Sequence, residues 1–232
     1  MIVGIHQPQY IPWPPYLLKM LESDVFIFLD SVDFQKNGLQ NRNQIKTAQG
    51  TQWLTVPVKQ RLGQRISEVQ IDNSTDWRRK HRLAIAQNYR KAKAFDACSD
   101  DLDVLFASEW TSLSDLNIHV ISLMLKWMGV ERPALRSSRM QATGKASDLV
   151  LNLCREVGGK TYLSGMGGRD YLDEAAFRDA GIEIVYRPPV MPVEYKQLNP
   201  GVGFLDSLSA LDLIFNAGSH WRDYMPVNRT TL

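Results

Sequence analysis

The chain has 232 residues, 44% of them hydrophobic and 22% charged, with a formal charge of +2. That composition suits an ordinary globular protein with room for one large domain or a domain carrying an insertion, and the charge is too small to imply nucleic acid by itself. No stretch approaches the roughly 20 apolar residues needed to span a bilayer, and two isolated cysteines argue against a disulfide framework or a Cys-rich zinc site.

The N-terminus lacks the basic start and apolar core of a signal peptide, so a cytoplasmic protein with reduced thiols is expected. An apolar β-branched run over residues 2–5 ends at His6 and enters the rigid loop QPQYIPWPP. Tyr16–Leu21 reads as a short helix, and a second apolar run, Asp24–Leu29, ends at Asp30. Strand, helix and strand in so little chain predict a βαβ unit with a parallel pair.

Gln40–Thr47 and Trp53–Lys59 read as hairpin strands about Gln49–Gly50, and Ile66–Ile71 as a further strand. Asn73 or Ser74 is placed to cap a helix running to about Lys93, and Asp101–Glu109 and Ser114–Met128 are helical. The α/β pattern then resumes with a strand at Pro133–Ser138, a helix at Lys145–Val157 and a strand at Thr161–Leu163. After the turn SGMGGRD come a helix ending near Ala180–Gly181 and the strand Ile182–Tyr186. An apolar helix near Leu208–Phe215 closes the chain.

The expected fold is therefore α/β: a Rossmann-like, mainly parallel five-stranded sheet of order 3-2-1-4-5, with a β-hairpin and helical insertion. One domain is expected, with core halves at about 1–36 and 131–187, the insertion at about 37–130 and a C-terminal wrap at 188–232. The strands ending at His6 and Leu163 should be neighbours at the topological switch point, where open α/β sheets bind ligands.

His6 is the candidate proton-transfer residue, with Asp30 as the group that orients it. Gln7 and Gln9 can orient a polar ligand. Ser164, Gly165, Gly167, Gly168 and Arg169 form a small-residue turn suited to an anion at a helix N-terminus. Asp33, Lys36, Asn41 and Asn43 form a polar cluster that fits a sugar, amide or base, or else a solvated edge hairpin. The basic run WRRKHR (77–82) is either a solvated helix face or a contact for nucleotide or RNA phosphates. No metal-binding pattern occurs.

HQPQYIPWPPYLLK (6–19), DVFIFLDSVDFQK (24–36), QNRNQIK (40–46), WLTVPVK (53–59) and SGMGGRDYLD (164–173) together resemble the WbqC-like family, with Pro15 where glycine is expected. The resemblance implies surface-polysaccharide or O-antigen biosynthesis and, as suggested for that family, glycyl transfer. The βαβ start and strand order also resemble the HUP group of nucleotidylyltransferases and pantoate ligases, although Trp13-Pro14-Pro15-Tyr16 stands where their His-x-Gly-His motif would be. The expected activity is transfer of an acyl or aminoacyl group to an amino sugar or related precursor. The substrate would be a small molecule bearing phosphate or a nucleotide; no cofactor is identified, though a nucleotide is compatible with the motifs. The alternatives are an adenylate-forming or nucleotidyl-transferring enzyme, and a non-catalytic ligand- or RNA-binding protein.

Overall fold

The structure is a computed structural model that describes residues 1–225. Five parallel strands form its sheet: β1 (Ile2–His6), β2 (Val25–Phe28), β7 (Ala134–Arg136), β8 (Thr161–Gly165) and β9 (Glu183–Arg187). Their order, β7-β2-β1-β8-β9, is the expected 3-2-1-4-5. The sheet is flanked by helices, as in Rossmann-like folds.

Side-chain alternation assigns the two faces. Val3, Ile5 and Ile27 pack with α5 (Ala146–Glu156) and α6 (Glu174–Asp179) in one core. Phe26 and Phe28 turn to the other face, towards α1 (Pro14–Glu22), α4 (Leu113–Trp127) and α7 (Leu211–Ala217). Gly4 lets α1 close down on the sheet: a Cβ there would sit 2.1 Å from Ser23 Oγ. Pro14 and Pro15 start α1 at positions whose N–H groups lack helical partners anyway.

Between the sheet halves lie the hairpin β3 (Arg42–Thr47) and β4 (Gly50–Thr55), then β5 (Val58–Lys59) and β6 (Gln70–Ile71). Pro57 separates β4 from β5, where one continuous strand was expected. The strand expected over Ile66–Ile71 opens instead as a 3₁₀ turn, Ile66–Glu68. Helix α2 covers Trp77–Tyr89, and Asn73 does not cap it: its side chain bonds the Trp77 indole and the Trp110 carbonyl. Helix α3 (Phe95–Ala107) starts earlier than expected, because Phe95, Cys98, Leu102 and Leu105 form a buried stripe among its aspartates.

The C-terminal segment wraps back over the hairpin and proline loop. Ser209 N–H donates to Gln44 O and Ala210 N–H to Pro12 O, each at 2.8 Å. The buried Lys46 donates to Gln197 Oε1 at 2.9 Å. Residues 226–232 of the expected wrap lie outside the described residues. Among the described residues no helix is long and apolar enough to cross a membrane.

Candidate functional site

A crevice of 280 Å³ opens at the switch point, between the carboxyl ends of β1 and β8. The sheet supplies His6, Ser164, Gly165 and Arg187 to its walls, and α1 supplies Tyr16, Lys19 and Glu22. Parallel pairing puts the ends of β1, β8 and β9 on one rim; the three-residue spacing of Tyr16, Lys19 and Glu22 puts them on one helix face. Trp13, Leu163, Met166 and Val190 make much of the remainder apolar.

His6 Nδ1 lies 3.1 Å from the Gln7 carbonyl oxygen, which can only accept. The ring therefore carries its proton on Nδ1 and keeps a lone pair on Nε2. Burial, reinforced by the Lys19 charge and opposed by the Gln7 carbonyl, lowers its pKa from 6.5 to about 4. The Tyr16 ring packs against it edge-on at 4.9 Å. Lys19 Nζ donates to the Ile5 carbonyl at 2.7 Å. Burial brings its pKa down from 10.5 to about 7, against a smaller opposing effect of Cys154, so a large fraction of the amine is neutral at physiological pH.

Across the crevice the Arg187 guanidinium pairs with the buried Glu22 carboxylate, tying the end of β9 to the end of α1. Arg187 Nε and the Tyr16 hydroxyl are buried and have no hydrogen-bond partner among the described residues. Such groups are costly to leave unmade.

Asp30 does sit on the same rim, at the end of β2, but it does not orient His6. It is 0% exposed and its oxygens are taken by Ser114 Oγ, Arg136 Nε, Ser138 N–H and Ser138 Oγ at 2.9–3.1 Å. This carboxylate fastens α4 and the end of β7 to β2, on the far side of β1 from the crevice. Ser164, Gly165 and Gly167 do line the crevice. No α-helix starts at this turn: β8 runs on through Gly165, a 3₁₀ turn spans Met166–Asp170, and α6 begins at Glu174 with its own Asp173 cap. Gly168 is buried against Ser164, and Arg169 lies over the Tyr186 ring at 4.6 Å rather than in the crevice wall.

The amides mostly bind the protein itself. Asn43 Nδ2 donates to Ile11 O at 2.9 Å and Asn41 Nδ2 to Val56 O at 2.9 Å, while Gln7 Oε1 accepts from Gln40 Nε2 at 2.8 Å. Asn43 thereby holds the loop at Ile11, a β-branched residue at φ 38°. Gln9 is 8% exposed and its Oε1 lacks a partner among the described residues. Asp33 and Lys36 are exposed and do not line the crevice.

In the basic run, Arg79 pairs with Asp76 and Arg82 with Asp103, Arg78 donates to Ser108 O, and the buried His81 bonds the Tyr10 hydroxyl at 2.9 Å. Most of its polar groups are thus occupied internally. Among the described residues no group of three or more His, Cys, Asp or Glu side chains is placed to hold a metal ion.

Two histidines, the half-buried His6 and the buried His81, give a pH signature. His6 and His81 each have a folded-state pKa of about 4, lowered chiefly by burial, against 6.5 in the unfolded chain. The unfolded state takes up these protons first, so stability falls as pH drops from about 6.5 to 4 and is fully retained above that window. About 3 kcal/mol per histidine is at stake. Urea midpoints should decline steadily from pH 7 to 4.5, with a shallower decline in His81→Gln. Parallel pH dependences for variant and wild type would show that His81 does not titrate with folding.

Lys19, Tyr16, Glu22 and Arg187 were not singled out by motif or run end, yet a signal existed. PPYLLKMLE places two charges in an otherwise apolar helix, and YRPP ends the last strand of the sheet on the same rim as His6.

The profile of the WbqC-like protein family matches residues 7–224. The uncharacterized protein Rv1507c of Mycobacterium tuberculosis is 35% identical over 226 residues, covering 96% of each chain. No solved structure matches significantly. The matched span contains both sides of the crevice, from Gln7 and α1 through β8 to Arg187, and on this ground the chain belongs to the WbqC-like protein family.

Proposed function

We propose that the crevice transfers an acyl or aminoacyl group, such as a glycyl group, to the amine of an amino sugar or related precursor of a surface glycan. The observation that carries this reading is a neutral imidazole at the switch point, its Nδ1 proton held on the Gln7 carbonyl and its Nε2 lone pair free to take a proton. The acceptor nitrogen attacks the acyl carbon, Nε2 receives the ammonium proton, and the leaving group departs with a proton. Backbone N–H groups of Gly165–Gly167 are the candidate donors to the tetrahedral oxyanion. Arg187 Nε is the candidate partner for a carboxylate or phosphate on either substrate. Membership of the WbqC-like family, which suggests polysaccharide-associated biosynthesis, supports the choice of acceptor.

The test is mass spectrometry of surface glycans from a host strain with and without the gene. Loss of one acyl or aminoacyl substituent in the deletion strain, restored by the wild-type gene, is expected. Identical glycans in the two strains would overturn the assignment.

A further inference from the structure

We propose that Lys19 is an imine-forming amine, which condenses with the carbonyl carbon of a small aldehyde or ketone bound in the crevice. The inference rests on the same crevice as the proposed transferase but does not depend on acyl transfer.

Three features of the structure support it. The amine stands in a cavity with largely apolar walls, among them Trp13, Leu163 and Val190, which favour a neutral nitrogen over an ammonium ion. Among the described residues no carboxylate forms an ion pair with Nζ, and the nearby Glu22 carboxylate is held by Arg187. One N–H is fixed on the Ile5 carbonyl at 2.7 Å, which aims the nitrogen from α1 across the end of β1. Nζ also lies 5.8 Å from the centroid of the Tyr162 ring, so among the described residues its neighbours are a carbonyl and an aromatic face and not a carboxylate. The depressed pKa of this amine leaves its lone pair available.

The chemistry balances without an oxidant or reductant. The Nζ lone pair attacks the carbonyl carbon, a C–N bond forms, and the carbonyl oxygen takes up a proton as Nζ loses one. The carbinolamine then loses its hydroxyl with a second proton as water, and the C=N bond forms. His6 Nε2, in the same crevice, is the candidate relay for these protons.

The experiment is reductive trapping of the full-length protein at pH 6.5 with glycolaldehyde and cyanoborohydride, followed by peptide mass spectrometry against time. Lys36 and Lys145 are exposed and serve as the internal comparison. Lys19 should be alkylated about tenfold faster or more. Gly165→Phe, which narrows the crevice, should slow labelling of Lys19 and leave Lys36 unchanged, provided its melt matches wild type. Labelling of Lys19 no faster than of Lys36 and Lys145 in the folded wild type would overturn the proposal. Because trapping is scored on the lysine and acyl transfer on the glycan, failure of one leaves the other standing.

Discussion

Replacing His6 with Gln lowers turnover about 10²–10⁴-fold while substrate binding changes little. That is the usual contribution of a positioned general base. The substitution keeps a hydrogen-bonding group near the Gln7 carbonyl but removes the Nε2 lone pair. The pH profile separates His6 from its neighbour. With its pKa brought down to about 4, the imidazole is deprotonated throughout the ordinary range and produces no limb near neutrality. An ascending limb near pH 7 would belong to Lys19, whose amine is brought into that range by burial. Any such limb should therefore persist in His6→Gln and vanish in Lys19→Met. A variant with wild-type turnover and a lowered melting temperature would make His6 a packing residue for Tyr16.

Asp30→Ala should cost about 3–5 kcal/mol of stability, the range for breaking a buried ion pair by removing one partner. The carboxylate is fully buried and accepts from three different segments: Ser114 at the start of α4, Arg136 at the end of β7, and Ser138 beyond it. Among the described residues its loss leaves the Arg136 guanidinium with only the exposed Asp115 as an ionic partner, and takes the acceptor from the Ser138 hydroxyl and from Ser114 Oγ, which keeps its bond from Arg136 Nη2. Asp30→Asn retains one acceptor oxygen and should lose less. Urea denaturation gives both values, and a midpoint shift worth less than about 1 kcal/mol in Asp30→Ala would contradict this role.

The sheet order was legible because parallel strands buried on both faces are written as unbroken apolar runs, and IVGI, VFIFL and TYL end abruptly at polar residues. The same logic located the rim that carries both His6 and Ser164. It could not tell Asp30 from His6, since two polar residues at strand ends look alike until a neighbour claims one of them. Ser114, Ser138 and Arg136, each distant in sequence, decided that case.

The amides of Asn41 and Asn43 failed to declare themselves for a related reason. An amide that clamps a strained loop and an amide that holds a sugar have the same spacing in the chain. Lys19 was hidden inside a helix whose apolar residues dominate its pattern. Arg187 belonged to a strand end that motif searching passes over.

Gly165→Phe in the gene-deletion strain tests the central claim, that the crevice is where the chemistry occurs. Gly165 lies in extended backbone, at φ −75°, and an added Cβ there would meet no other atom within 4 Å. A phenyl ring can thus occupy the crevice without strain in the strand, and the melting temperature should stay close to wild type. With the variant produced at wild-type level, the surface glycan should lack the acyl or aminoacyl substituent that the wild-type gene restores. Full restoration by a folded Gly165→Phe protein would contradict the account.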